Sequence, residues 1–402
     1  MPAWLFALFA GAFVLYTDDY VIAGVLPEIA REFGVGEARA GQLVTVFSVT
    51  VALAAPVAGI ALARVSRRLL FGAALLIFIG ANLAAAVADS FTMLLILRVL
   101  AALAAAAATP ALFAYAAERA PEGRTGRYVA VVALGVTGSL AAGVPIGTWI
   151  GGRFGWHATF LAMAIAGAAA LVFLLGTLPY AERAGGVPGI AEQLRVLGSP
   201  PVSLGLAANC VLMTGSMMML TYQASFFAAV SRADVDQRAL AFALSGTAGL
   251  AGVWLGGLAT DRWGPDRSLR VGIGSFVGTM VVLWVLGFFR PVPLFVIVAI
   301  GTVQGGIAFW NAPAIQARLY LLAGPVAGQA LALNTSGTYL GVALGGAVGG
   351  LTLSWAGAEQ LPIVAAVLGA GALVLLGVAA RAAQTPVATR LRARSGARRP
   401  GR

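Results

Sequence analysis

The sequence predicts an all-α membrane protein with twelve spanning helices in two pseudo-symmetric sets of six. Three observations lead there. The 402 residues are 60% hydrophobic and only 10% charged, with a mean hydropathy of +0.92; a soluble domain carries roughly 25% charged residues. Apolar runs of about 20 residues, long enough to cross a bilayer as helices, recur from end to end. The chain also matches itself at a shift of 198 residues. Gly59 falls on Gly257 and Arg64 on Arg262, and Gly143, Gly147, Gly151 and Gly152 fall on Gly341, Gly345, Gly349 and Gly350.

Cutting at charged and Pro/Gly-rich breaks places the first six spans near 3–25, 40–63, 69–88, 91–117, 128–150 and 157–178. The second six lie near 202–230, 239–259, 270–289, 292–316, 328–354 and 359–380. The first run has no basic segment before it and holds two acids, so it reads as a retained span and not a cleaved signal. None of the runs alternates with period two, which argues against a membrane barrel. The expected units are a six-helix bundle over 1–178, a linker over 179–200, a second bundle over 201–380 and a basic tail over 381–402. Two such halves in parallel repeat enclose a binding site at mid-membrane depth and rock about it.

All 26 basic residues are arginine. With the N-terminus in the cytoplasm, the cytoplasmic loops and tail hold 19 of them and the opposite loops 6, while Arg98 lies inside a span. The positive-inside rule therefore puts both termini in the cytoplasm of a bacterial inner membrane. The net charge of +11 does not imply nucleic acid, because these residues sit in short loops and one tail and not on a basic face with interleaved aromatics. The tail, with seven arginines and no acid, is expected against anionic lipid headgroups. One cysteine, Cys210, permits no intrachain disulfide. There is no Walker A sequence, no HExxH and only one histidine, so neither a catalytic constellation nor a cofactor is expected.

The stretch "VLYTDDYVIAGVLPEI" carries the chemistry. A carboxylate near the bilayer centre costs on the order of 3 kcal/mol, so Asp18 and Asp19 need a purpose. Together with Arg98 they are the clear intramembrane ions, and such residues face a bundle interior or a watery cavity and pair. On the bounds above, Asp18 lies roughly 6 Å and Arg98 roughly 9 Å outward of their helix midpoints, at 1.5 Å per residue. The three are expected in one outer-half cluster lining the cleft. Adjacent residues diverge by about 100° around a helix, so one acid faces the cleft and the other helix 4. Neighbouring like charges compete for ionisation, and burial changes with access, which is what a proton carrier requires. A structural ion pair explains one aspartate and leaves the second without a role; Asp19 is favoured as the titrating group.

Gly135, Gly143, Gly147 and Gly151 recur at intervals of four or eight, letting helix backbones approach closely, and Pro145 kinks the run. They are read as an inter-lobe seam, a reading compatible with ordinary packing of membrane helices. Pocket candidates are Tyr16 in the first half, and Asn209, Met213, Met217, Tyr222 and Gln223 in helix 7. Gln304, Trp310 and Asn311 follow in helix 10, and Asn334 and Tyr339 in helix 11. A mostly apolar pocket with a few polar groups suits a neutral or lipophilic solute.

Four segments resemble the major facilitator superfamily, and within it the bacterial drug:proton antiporter branch with twelve spans. "TDDYVIAGVLPEIA" (17–30) resembles the first-helix motif and "LRVLAALAAAAATPA" (97–111) the fourth-helix motif, with Arg98 at its basic position. "GVPIGTWIGGRFGWHATF" (143–160) resembles the antiporter motif of helix 5, in a form typical of arabinose-type sugar, purine nucleoside and chloramphenicol exporters. "GGLATDRWGPDR" (256–267) resembles the cytoplasmic loop motif. The resemblance implies a proton-coupled exporter of small drug-like or amphipathic molecules, contributing to multidrug efflux and antibiotic resistance, and a monomer. It also implies a cytoplasmic latch at Arg64, Asp261 and Arg262. Two departures stand out: in "GIALARVSRR" (59–68) Ala63 and Ser66 replace the family's Asp and Gly, and His157 replaces an Arg. A sugar or nucleoside cargo, uncoupled facilitation, and a non-transporting receptor or assembly partner remain open alternatives.

Overall fold

A computed structural model describes residues 1–62, 64–122, 124–178 and 196–384. Most of the expected linker, the tail beyond 384, and Ala63 lie outside the described residues. Twelve helices long and apolar enough to cross a membrane are present. The first six are α1 (Ala3–Glu32), α2 (Gln42–Ala61), α3 (Arg67–Ala85), α4 (Phe91–Glu118), α5 and α6 (Trp156–Thr177). The second six are α7, α8 (Val235–Trp263), α9 (Pro265–Leu286), α10 (Leu294–Ala323), α11 (Ala327–Ala356) and α12 (Leu361–Gln384).

Two of these are interrupted. α5 runs over Thr125–Gly138, passes through one π turn at Ser139–Gly143, and resumes over Val144–Phe154. Pro145 explains the turn: it lacks an N–H, and its ring crowds the carbonyl of Ala141 inside the wider loop. α7 runs over Pro200–Thr221, breaks at Tyr222 and continues as Gln223–Ser231. Most helices extend past the apolar runs that foretold them. α1 shows why: its last turns carry Glu28, Arg31 and Glu32, which a bilayer core would not admit but its surface does. Asp18 and Asp19 are therefore positions 16 and 17 of a thirty-residue helix. They sit at its centre and not in its outer half.

Apolar side chains such as Leu53, Val87 and Phe295 are exposed on the periphery, where lipid solvates them. α1 and α7, related by the 198-residue shift, are the most enclosed spans. Even helix number brings both ends of the described chain to one face, here the terminal end. The opposite, distal end carries loops such as 33–41 and 232–234.

The regularly spaced glycines do not form the inter-lobe seam the sequence suggested. A Cβ on Gly135 would meet the Phe9 carbonyl, one on Gly143 would meet Thr17, one on Gly147 would meet Val21, and one on Gly151 would meet Val25. All four partners belong to α1, so this row packs α5 on α1 inside the first bundle. Their repeats behave alike: Gly341, Gly345 and Gly349 pack α11 on α7. The true seam is made by the glycines beside them. Gly152 abuts Val235, Gly350 abuts Ala38, Gly346 abuts Thr45, and Gly246 abuts the Leu140 backbone, each across the lobe boundary.

The loop departure has a local consequence. Gly264, at the α8–α9 corner, takes φ 77°, a conformation costly for side chains. Its counterpart Ser66 takes φ −60° and caps α3, its Oγ accepting from the Leu69 N–H at 3.4 Å.

Gly143→Val should force α5 off α1 and lower stability by about 1–3 kcal/mol, the usual cost of overpacking. Gly257→Ala, which meets open space, should cost nothing and add a few tenths through helix propensity. Thermal unfolding followed by fluorescence-detected size exclusion measures both.

Candidate functional site

At the centre of the first bundle the two acids part company. Arg98 Nη1 donates to Asp18 Oδ2 at 2.7 Å and Nη2 to the Asp18 carbonyl at 3.1 Å. Both side chains are essentially sealed from solvent, and the guanidinium lies 4.3 Å over the Phe47 ring of α2. This pair ties α1 to α4 within one lobe and does not line the cleft. A charge-assisted pair with a cation–π contact is the arrangement that offsets the desolvation of two ions.

Asp19, a hundred degrees round the helix, faces the other way. It is buried, and neither carboxyl oxygen has a hydrogen bond of good geometry. It lines a cavity of about 10 Å³ with Tyr20, Ala23, Val44, Met217, Leu220, Thr221 and Val342, drawn from α1, α2, α7 and α11. Polar groups around it are Tyr16 and Tyr20 of its own helix and, from the opposite lobe, Thr221 and Tyr339. A second cavity, of about 30 Å³, lies between α5, α7, α8 and α10. Gln223, Gln304, Ser216 and Ser245 give it polar groups, and Met217, Leu220, Phe242 and Phe309 its apolar wall. Met217 and Leu220 line both spaces and separate them. Each has room for about one water.

The other pocket candidates are used elsewhere. Asn209 donates to Asn334 at 2.9 Å and to Thr338 at 3.0 Å, joining α7 to α11. Met213 packs beneath Gly341. Tyr222 donates its hydroxyl to the Gly346 carbonyl at 2.8 Å and packs against Gly41 of the first lobe, so it belongs to the distal closure. Trp310 donates to the Ser268 carbonyl at 3.3 Å and Asn311 packs on Gly272, both turned toward α9. Of the proposed pocket, Met217, Gln223 and Gln304 reach the larger cavity, while Tyr16 and Tyr339 surround Asp19.

Arg64, Asp261 and Arg262 are exposed, and no ion pair involves them among the described residues. No ion pair joins the lobes at the terminal end among those residues. At the distal end two do. Arg238 Nη2 meets Glu28 Oε1 at 2.6 Å, well buried, and Arg153 Nη2 meets Asp236 Oδ2 at 2.6 Å, half-exposed. The Thr45 hydroxyl adds a bond to the Ala343 carbonyl at 3.3 Å. The lobes are thus closed distally, and among the described residues no latch contact is assembled. Sequence reasoning missed Glu28 and Arg238 because each reads as an ordinary loop-proximal charge; only complementary signs at one end hinted at pairing.

His157 stacks on Trp156 with ring centroids 3.7 Å apart, and its Nε2 lies 3.4 Å from Glu32. It sits at the distal surface, remote from Asp19. Among the described residues no group of three or more potential ligands could hold a metal ion.

Twelve spans in two pseudo-symmetric bundles, meeting around a buried acid, define a polytopic membrane transporter fold. A family model described as Major Facilitator Superfamily matches residues 8–325, and the chain belongs to that superfamily. It is similar to YbcL of Bacillus subtilis, an uncharacterized MFS-type transporter, at 29% identity over 89% of this chain and 93% of the relative. A chloramphenicol resistance protein of Streptomyces lividans is 29% identical over 88% and 90%. A crystal structure of a D-xylose-proton symporter superposes with a TM-score of 0.77 at 16% identity, covering 93% of this chain and 96% of that one. The protein is a multi-pass membrane transporter of this superfamily.

Arg98→Ala strands the Asp18 charge and should lower stability by about 3–5 kcal/mol. Asp18→Asn with Arg98→Gln should recover most of that loss. Asp19→Asn, which removes an unpaired buried carboxylate, should leave the thermal midpoint unchanged or raise it.

Proposed function

We propose that the protein is a proton-coupled exporter of small drug-like or amphipathic molecules, working by alternating access in a bacterial inner membrane with both termini in the cytoplasm. The observation that carries this reading is the division of labour between neighbouring acids. Asp18 neutralises Arg98, and Asp19 is left without an ionic partner at the lobe boundary, beside the cavity wall that α7 shares with the second pocket. A carboxylate so placed is costly in one charge state and exposed to different surroundings when the lobes part.

In the proposed orientation the closed distal end is the outer one, so the lobes are shut toward the outside. The cycle then reads in order. A proton reaches Asp19 while the outer end is open. Closure carries it inward. Release to the cytoplasm precedes substrate binding, and the loaded carrier reopens outward. The membrane potential adds about 2.3 kcal/mol per charge per 100 mV.

The drug-like cargo is supported by the composition of the larger cavity, which is mainly apolar and holds no acid. A sugar or nucleoside cargo would draw on Asn209 and Asn311 as well as the two glutamines, and those asparagines are turned into the second lobe. The named relative that confers chloramphenicol resistance supports an antibiotic-like class.

Everted vesicles test the reading. With chloramphenicol as probe, wild-type protein should accumulate solute when a pH gradient is imposed and stop when it is collapsed. Asp19→Asn should abolish gradient-driven accumulation while keeping downhill flux. Accumulation by the variant equal to wild type would overturn the proton site, and flux indifferent to the gradient would indicate a facilitator.

A further inference from the structure

Tyr339 is out of place for a residue of the second half. It lies on α11, yet its ring is buried in the core cluster of the first bundle, among side chains of α1, α2 and α4. Its hydroxyl lies near the Tyr16 hydroxyl and the Asp19 carboxylate, with no hydrogen bond of good geometry to either Asp19 oxygen, and Val342, one turn further along α11, lines the Asp19 cavity. The groups facing Asp19 can be named from each element around it. α1 contributes Asp18, Tyr16 and Tyr20, α4 contributes Arg98, and α11 contributes Tyr339. α2 and α7 bring Val44, Met217, Leu220 and Thr221, none of them charged. Arg98 gives both terminal nitrogens to Asp18. That leaves Tyr339 and Thr221 as the polar groups through which the opposite lobe meets Asp19, and of the two only Tyr339 is buried in the core of the first bundle.

We infer that Tyr339 is the positioning residue through which the charge on Asp19 holds the two lobes in the distally closed state. This rests on the proton-coupled reading above. An ionised Asp19 accepts from the Tyr339 hydroxyl in a charge-assisted bond, stronger than the bond a neutral acid accepts. Tyr339 lies one turn from Ala343 and two from Gly346, which meet Thr45 across the seam, so a pull on α11 at residue 339 acts on that contact. The unprotonated, empty carrier is then held closed at the distal end. Either a proton on Asp19 or a bound substrate must loosen it before the distal end opens. The consequence is tight coupling, because return of the empty carrier would let protons leak without export.

The test uses full-length protein in proteoliposomes. Tyr339→Phe removes one oxygen and keeps the ring. With no substrate present and a pH-reporting dye inside, the variant should pass protons faster than wild type, on the order of tenfold, the scale of a lost charge-assisted hydrogen bond. A second readout follows distal opening through thiol labelling of Ala38→Cys in a Cys210→Ser background. Labelling should rise as pH falls in the Tyr339 protein. The profile should be flat in Tyr339→Phe, flat in Asp19→Asn, and no flatter in the double variant. A wild-type leak rate and an unchanged labelling profile in Tyr339→Phe would overturn the inference, even where Asp19→Asn abolishes gradient-driven transport. Absence of gradient-driven transport in the unmodified protein would instead remove the reading on which it rests.

Discussion

The buried pair of Arg98 and Asp18 is the interaction on which the rest depends. In a bilayer interior neither ion has water to fall back on, so each must be answered by the protein. The pair does this completely enough to hold α1 against α4, with Phe47 closing one face of the guanidinium. Because it occupies one carboxylate and turns it inward, helical geometry turns the next one outward. The unpaired state of Asp19 follows from the paired state of Asp18.

Close backbone packing supplies the frame. Lipid tails are as apolar as leucine, so helices in a bilayer associate through fit and not through exclusion of water. The rows at Gly143, Gly147, Gly151 and at Gly341, Gly345, Gly349 pack each half internally, and their neighbours Gly152 and Gly350 meet the other half. One helix face thus serves rigidity and the adjacent face serves the moving boundary. The halves also mirror one another in charge. Arg67 pairs with Glu118 at 2.9 Å in the first, and Asp266 with Arg318 at 2.8 Å in the second, with signs exchanged.

Closure at one end is held differently from packing within a lobe. Among the described residues two ion pairs, one hydroxyl bond, glycine contacts and a buried apolar cluster drawn from both lobes join them distally. Exposed pairs such as Arg153–Asp236 contribute little, in the range of about 0–1 kcal/mol. A seam whose polar contacts are few can separate as the lobes move, whereas the Arg98–Asp18 pair stays within its bundle.

By itself the sequence determined the twelve spans, the two-fold repeat and the presence of three intramembrane ions, because apolar length and charge placement are local properties that a bilayer reads directly. It also separated the two aspartates, since adjacent residues on a helix cannot face one way. Tertiary structure alone decided which partner each acid took, because Arg98 is eighty residues from Asp18 and no periodicity relates them. It decided that the glycine row binds α5 to α1 and not lobe to lobe, since small residues mark a close approach without naming what approaches. It also moved Tyr222, Asn209, Trp310 and Asn311 out of the expected pocket, for a polar residue in a span satisfies itself with whichever neighbour the packing brings near. Glu28 and Arg238, over two hundred residues apart, became a lock only when the lobes were brought together.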